Sequence, residues 1–119
     1  MSNHVYWIIE ANVRDGKLDE LKALMAEMSE ATKADEPGAL NYEWSLSEDE
    51  TICHIFERYE DSDATMVHMG NFGSKFAGRF MGVLKPFRCT LYGAPDERVC
   101  NAMKPMGYVA MSSAAGFSR

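Results

Sequence analysis

The run from Glu57 to Phe76, ERYEDSDATMVHMGNFGSKF, places a carboxylate, a phenol and an imidazole in one strand-to-helix unit beside phenylalanines. Glu57 and Tyr59 stand two residues apart and share one face of a strand. His68 falls near the end of the short helix that follows, capped by Asp61-Ser62-Asp63. An imidazole that titrates near neutrality suits proton transfer or hydrogen bonding to a ligand held between helix and sheet. Apolar walls with a few polar groups describe a small-molecule pocket.

Each of these residues also has a plainer reading. His68, with Ala64 one turn before it, reads first as a core or surface histidine bonded to a carbonyl. Glu57 reads as a half-buried acid paired with Arg58 or Arg88, and Tyr59 as a packing residue with its hydroxyl satisfied. The functional alternative has Tyr59 orienting a phenolic ligand. Asn12 shares a face of the first strand with Glu10 and is either a donor to a ligand oxygen or a turn residue before Arg14-Asp15-Gly16. Phe72, Phe76, Phe80 and Met81 read first as core, although a cavity wall is itself a core surface.

The elements that must position these groups are legible from periodicity. Val5, Trp7, Ile9, Ala11 and Val13 alternate with His4, Tyr6, Ile8, Glu10 and Asn12, which predicts a strand. Leu18, Leu21, Leu24, Met25 and Met28 form one stripe of a helix from Lys17 to about Lys33, broken by Glu36-Pro37-Gly38. Leu40 to Leu46 and Thr51 to Tyr59 form a hairpin about Ser47-Glu48-Asp49-Glu50. The helix carrying His68 is expected to end near Met69, with Gly70 to Gly73 as punctuation. Phe72, Phe76, Phe80 and Leu84 recur at i+4 in a further helical segment ended by Lys85-Pro86. Phe87 to Gly93 is a fourth strand, Pro95-Asp96 open a helix to about Met103, and Tyr108 to Met111 suit a last short strand.

The order β-α-β-β-α-β followed by a tail predicts an α+β, ferredoxin-like antiparallel sheet with helices on one face. Residues 1–93 would form that domain and residues 94–119 an extension packing on it or on a partner subunit. Both sheet faces are partly apolar or aromatic, with Tyr6 and Ile8 opposite Trp7 and Ile9. A sheet with one uncovered face should be polar there, so a second copy packed face to face, a dimeric α+β barrel, is expected.

Composition narrows the function classes. A chain of 119 residues with 46% hydrophobic and 25% charged content is an ordinary globular domain with a real core. A net charge of −6 argues against nonspecific binding to nucleic acid or anionic membrane. Residues 1–63 hold 16 acids and 5 bases, and residues 64–119 hold 2 acids and 7 bases. Solvated acids on the early helix and turns account for this. Alternatively, Lys75, Arg79, Lys85 and Arg88 face an anionic or quinone-like ligand or an acidic patch on a second subunit. No run is long enough to span a membrane, residues 1–20 carry no signal-peptide pattern, and three cysteines without ligand spacing suit buried thiols in a reducing cytoplasm. His4, His54 and His68 make no metal-binding spacing, and GNFGSKFAG is neither a Walker nor a Rossmann fingerprint.

VYWIIEANV, DGKLDELKALM, EPGALNYEW and FERYEDSDATMVHM, in that order and with Glu57, Tyr59, Ala64 and His68 at this spacing, resemble the antibiotic biosynthesis monooxygenase (ABM) domain family over residues 4–93. The resemblance implies a homodimeric α+β barrel. It also implies oxygenation of a small quinol or polyphenol by O2 without metal, flavin or haem, the deprotonated substrate itself reducing oxygen. Carried over, His68 would accept the phenolic proton, Asn12 would steady a substrate or peroxide oxygen, and Tyr59, Trp44, Phe72 and Phe76 would pack or orient the ring. Tyr59 stands where many relatives carry Trp, and many lack a tail like 94–119. The family also contains haem-degrading members and proteins without demonstrated activity. A dimeric ligand-binding or stress-response module and a haem-binding degrader are therefore the alternatives.

Overall fold

The computed structural model describes residues 2–119. Five strands form one sheet in the order β2-β3-β1-β4-β5: β1 (Val5–Val13), β2 (Ala39–Leu46), β3 (Ile52–Tyr59), β4 (Leu84–Gly93) and β5 (Val109–Ala110). The first four pair antiparallel, and β5 adds parallel to β4 through Thr90 and Leu91. This is the expected ferredoxin-like α+β arrangement, and β5 falls within the last short strand expected at Tyr108 to Met111.

Strand parity decides what faces the helices. Val5, Trp7, Ile9 and Ala11 of β1 and Cys53, Ile55, Glu57 and Tyr59 of β3 are buried. They meet Leu21, Leu24 and Met28 from α1 (Leu18–Asp35) and Phe80 and Val83 from α3 (Ala77–Val83). The opposite parity lies half-buried on a face that no helix covers. Tyr6 stacks there on Tyr92 at 5.1 Å between centroids and meets Phe56 edge-on at 6.4 Å.

Two boundaries differ from the sequence reading. The His68 helix, α2 (Ser62–Lys75), does not stop at Met69 but runs through Gly70 and Gly73. Asp61 caps it, its side chain accepting from the Ala64 amide at 2.8 Å, while Thr65, His68 and Phe72 anchor one stripe against the core. That anchoring outweighs the roughly 1 kcal/mol each interior glycine costs. The strand β4 begins at Leu84 rather than Phe87, with Pro86 at a register shift opposite Ala11. Proline is tolerated because β5 reaches only Thr90 and Leu91, leaving this end of β4 as a sheet edge.

Beyond Gly93, whose φ of +86° turns the chain out of the sheet, α4 (Glu97–Met103) lies against α2. The Asp96 amide donates to Ser62 Oγ at 2.9 Å, and Arg98 pairs with Asp63 at 2.7 Å. Val99 and Met103 complete the core.

Candidate functional site

Glu36 closes α1 with φ −127° and ψ 79°, an extended backbone that suits the residue before Pro37. An acid at this end of a helix is opposed by the macrodipole and calls for a cation. That cation is His68: its Nδ1 lies 2.9 Å from Glu36 Oε1, and Asn71 donates to the other oxygen at 3.2 Å. On its far side, His68 Nε2 lies 3.1 Å from Glu57 Oε1, which also accepts from the Tyr59 hydroxyl at 2.7 Å. The result is a buried chain Asn71–Glu36–His68–Glu57–Tyr59 joining α1, α2 and β3. Glu36, Glu57 and His68 are 6%, 4% and 5% exposed.

Electrostatics follow from that geometry. Burial opposes charge on His68, but the two carboxylates outweigh it and raise its pKa to about 9. Burial likewise pushes Glu36 upward, yet the His68 partner wins and holds it below the ordinary value. At neutral pH the histidine is an imidazolium flanked by carboxylates, not a free base. Burial, reinforced by the charge of Glu57, holds the Tyr42 and Tyr59 hydroxyls well above the usual phenol range, so both stay neutral.

One side of this chain opens on a cavity of about 70 Å³. Glu57, His68 and Tyr42 supply its polar wall, and Trp7, Phe72 and Phe80 its aromatic wall. Met28, Met69, Met81, Met103 and Met106 supply much of the remainder. A cavity that accepts a benzene ring measures roughly 150 Å³, so an aromatic ligand requires the thioether side chains to move, which their rotamer freedom allows.

Residues 4–75 match the family described as antibiotic biosynthesis monooxygenase. The chain belongs to that family. Its fold is shared with MupZ from Pseudomonas fluorescens, 23% identical with a TM-score of 0.82 over 99% of this chain and 96% of that one. Rv0793 from Mycobacterium tuberculosis is 26% identical, with a TM-score of 0.66 over 79% of this chain and 97% of its own. SnoaB from Streptomyces nogalater, a cofactor-independent oxygenase solved as a mutant, is 18% identical with a TM-score of 0.66, over 80% and 96%. The match to MupZ therefore extends over the α4–β5 segment. No curated protein matches the chain.

The residues expected at an ABM-type site separate in space. His68 and Phe72 line the cavity together, their rings 6.5 Å apart. Tyr59 is fully buried behind them, tilted on Trp7 at 5.2 Å and on His68 at 5.0 Å, and holds Glu57 rather than facing a ligand. Trp44 packs edge-on against Phe80 and Tyr42 outside the lining, and Phe76 sits at the α2–α3 junction.

Asn12 stands apart from the cavity. It is exposed on the uncovered sheet face with Glu10, because its parity is opposite to that of Trp7 and Ile9, and so it does not share the cavity. Glu57 pairs with His68 and Tyr59, not with an arginine. Of Lys75, Arg79, Lys85 and Arg88, two are taken by the chain's own acids, Arg79 by Glu27 at 2.7 Å and Arg88 by Glu10 at 3.7 Å.

Haem does not fit this site. Both ring nitrogens of His68 face carboxylates, and the cavity is far smaller than a porphyrin. Among the described residues no cluster of three metal-ligating side chains occurs, and no helix is long and apolar enough to cross a membrane.

Proposed function

We propose that this ABM-family protein is a cofactor-independent monooxygenase of a small electron-rich aromatic, a quinol or polyphenol, acting as a homodimer. The observation that carries this reading is the apolar cavity whose charged wall is the Glu57–His68 pair. Such a site excludes water, and its fixed charges act at low dielectric on a substrate hydroxyl. The substrate hydroxyl hydrogen-bonds to the Glu57 carboxylate and gives up its proton there, so that Glu57 becomes neutral as the oxyanion forms and the net charge of the site is unchanged. The electron-rich ring then reduces O2. One oxygen atom enters the ring, which becomes a hydroxyquinone, and the other leaves as water. All electrons come from the substrate. Phe72 and Trp7 pack its ring, with Tyr59 and Trp44 supporting the wall.

Oxygen uptake with a panel of hydroquinones and polyhydroxylated naphthalenes is expected to exceed the enzyme-free rate and to collapse in His68→Gln. Uptake equal to the enzyme-free control across the panel would remove the catalytic reading and leave a ligand-binding module. The half-buried Tyr6, Phe56 and Tyr92 on the uncovered sheet face support the dimer. Light scattering is expected to give twice the 13.3 kDa chain mass at micromolar concentration, and a monomer there would overturn it.

A further inference from the structure

Three buried ionisable groups share this site, and their charges do not cancel. Glu36 and Glu57 flank one histidine, so the cluster carries a single net negative charge even with His68 protonated. The other groups facing it leave that balance unchanged. Tyr42 of β2 and Tyr59 of β3 are neutral, Asn71 of α2 is uncharged, and Lys75, which lies within electrostatic reach of Glu36, is exposed and screened by solvent.

Two polar groups of the cavity-lining residues lack a full set of partners. Glu57 Oε1 is engaged by Tyr59 and His68, while Oε2 takes no hydrogen bond from the described residues. Trp7, 2% exposed and part of the cavity wall, has a buried indole N–H with no acceptor among the described residues. Buried donors of this kind are rare and are usually met by a partner.

We propose that the cavity selects uncharged, largely apolar ligands that carry one hydroxyl donor and one neutral oxygen acceptor, and that it rejects anions. The hydroxyl donates to Glu57, which makes Glu57 the carboxylate that meets the substrate. The neutral oxygen accepts from Trp7 Nε1. Glu36 is a positioning residue acting through His68: it holds the imidazolium in place and supplies the second negative charge. A carboxylate or phosphate entering the same apolar space meets net repulsion at low dielectric with no free cation to receive it.

This inference refines the ligand class of the proposed oxygenase site, and an anaerobic binding experiment separates the two. The probes are hydroquinone and 4-hydroxybenzoate, which share the ring and one hydroxyl and differ by a carboxylate. Calorimetric titration without oxygen at pH 7 is expected to show hydroquinone binding about tenfold or more tightly than 4-hydroxybenzoate. In Glu57→Gln, which neutralises the site, that preference is expected to shrink to about threefold or less. Trp7→Phe keeps the aromatic wall and is expected to weaken hydroquinone about fivefold while preserving the preference. Equal or tighter binding of 4-hydroxybenzoate overturns the proposal. So does saturable binding of neither probe, or a preference unchanged in a folded Glu57→Gln. Selective binding with no oxygen uptake supports the ligand class and removes only the monooxygenase reading.

Discussion

Replacing His68 by alanine is expected to lower the unfolding free energy by about 3–5 kcal/mol at pH 7. The imidazolium is the one cation between two carboxylates that are 6% and 4% exposed. Without it, Glu36 keeps only the Asn71 amide and Glu57 only the Tyr59 hydroxyl, each satisfying a single oxygen. The substitution also removes a ring that packs against Tyr59, Tyr42 and Phe72, leaving a void beside an existing cavity. Urea unfolding of the two proteins measures the cost. Acidification separates its parts, because in the variant Glu36 loses the partner that holds its carboxyl low and burial alone pushes it upward. The deficit is therefore expected to narrow on acidification as Glu36 is protonated and its unpaired buried charge is removed. A loss below about 1 kcal/mol at pH 7 would mean that the ion pairs contribute nothing and that His68 is only a packing residue.

The components of that cluster are unequally legible in the sequence. Strand parity places Trp7, Ile9 and Ala11 on one face and Asn12 with Tyr6 and Ile8 on the other, and both assignments hold. The family resemblance nevertheless brings Asn12 to the site, because parity alone does not say which face the His68 helix covers. Glu36 stands in the sequence only as part of a helix-breaking Glu-Pro-Gly. Its signal is local: an acid at a helix C-terminus, where the backbone dipole is unfavourable, requires a cation from elsewhere. Glu57 carries a similar signal, an acid on the parity of Cys53, Ile55 and Tyr59, all of which are buried. What the sequence does not supply is the meeting of residues 36, 57 and 68 on one imidazole. That depends on how α1 and α2 pack over β3, a tertiary fact without local periodicity. The methionine lining is hidden for the same reason, since Met28, Met69, Met81, Met103 and Met106 come from separate helical segments and converge only when the sheet gathers them.

The same cluster sets the alkaline limit of stability. The folded protein holds a proton on His68 up to about pH 9, whereas the group's ordinary value is 6.5. Burial works against that proton, and the flanking carboxylates more than compensate. Below the unfolded value both states carry the proton and the ion pairs contribute in full. As pH rises past it, the unfolded chain releases its proton while the folded chain retains one, so stability declines until His68 itself titrates. The expected loss across this window is about 3 kcal/mol. Glu36 gives the opposite limb: held below the usual carboxylate value, its contribution is present above that value and is lost as acid protonates it. Cys53 and Cys89, pushed by burial to about 11 and about 12, add their own alkaline loss beginning near the ordinary thiol value of 9. The His68 contribution is therefore read below pH 9 and against His68→Gln. Chemical unfolding between pH 6 and 9 is expected to show the wild-type protein losing its advantage over that variant, with the imidazole proton followed by NMR to the same midpoint. A difference that stays flat across the window would contradict the paired imidazolium. Because the proton is retained throughout the neutral range, the cavity keeps one fixed charge state at working pH, and its preference for neutral ligands should not vary with pH between about 6 and 8.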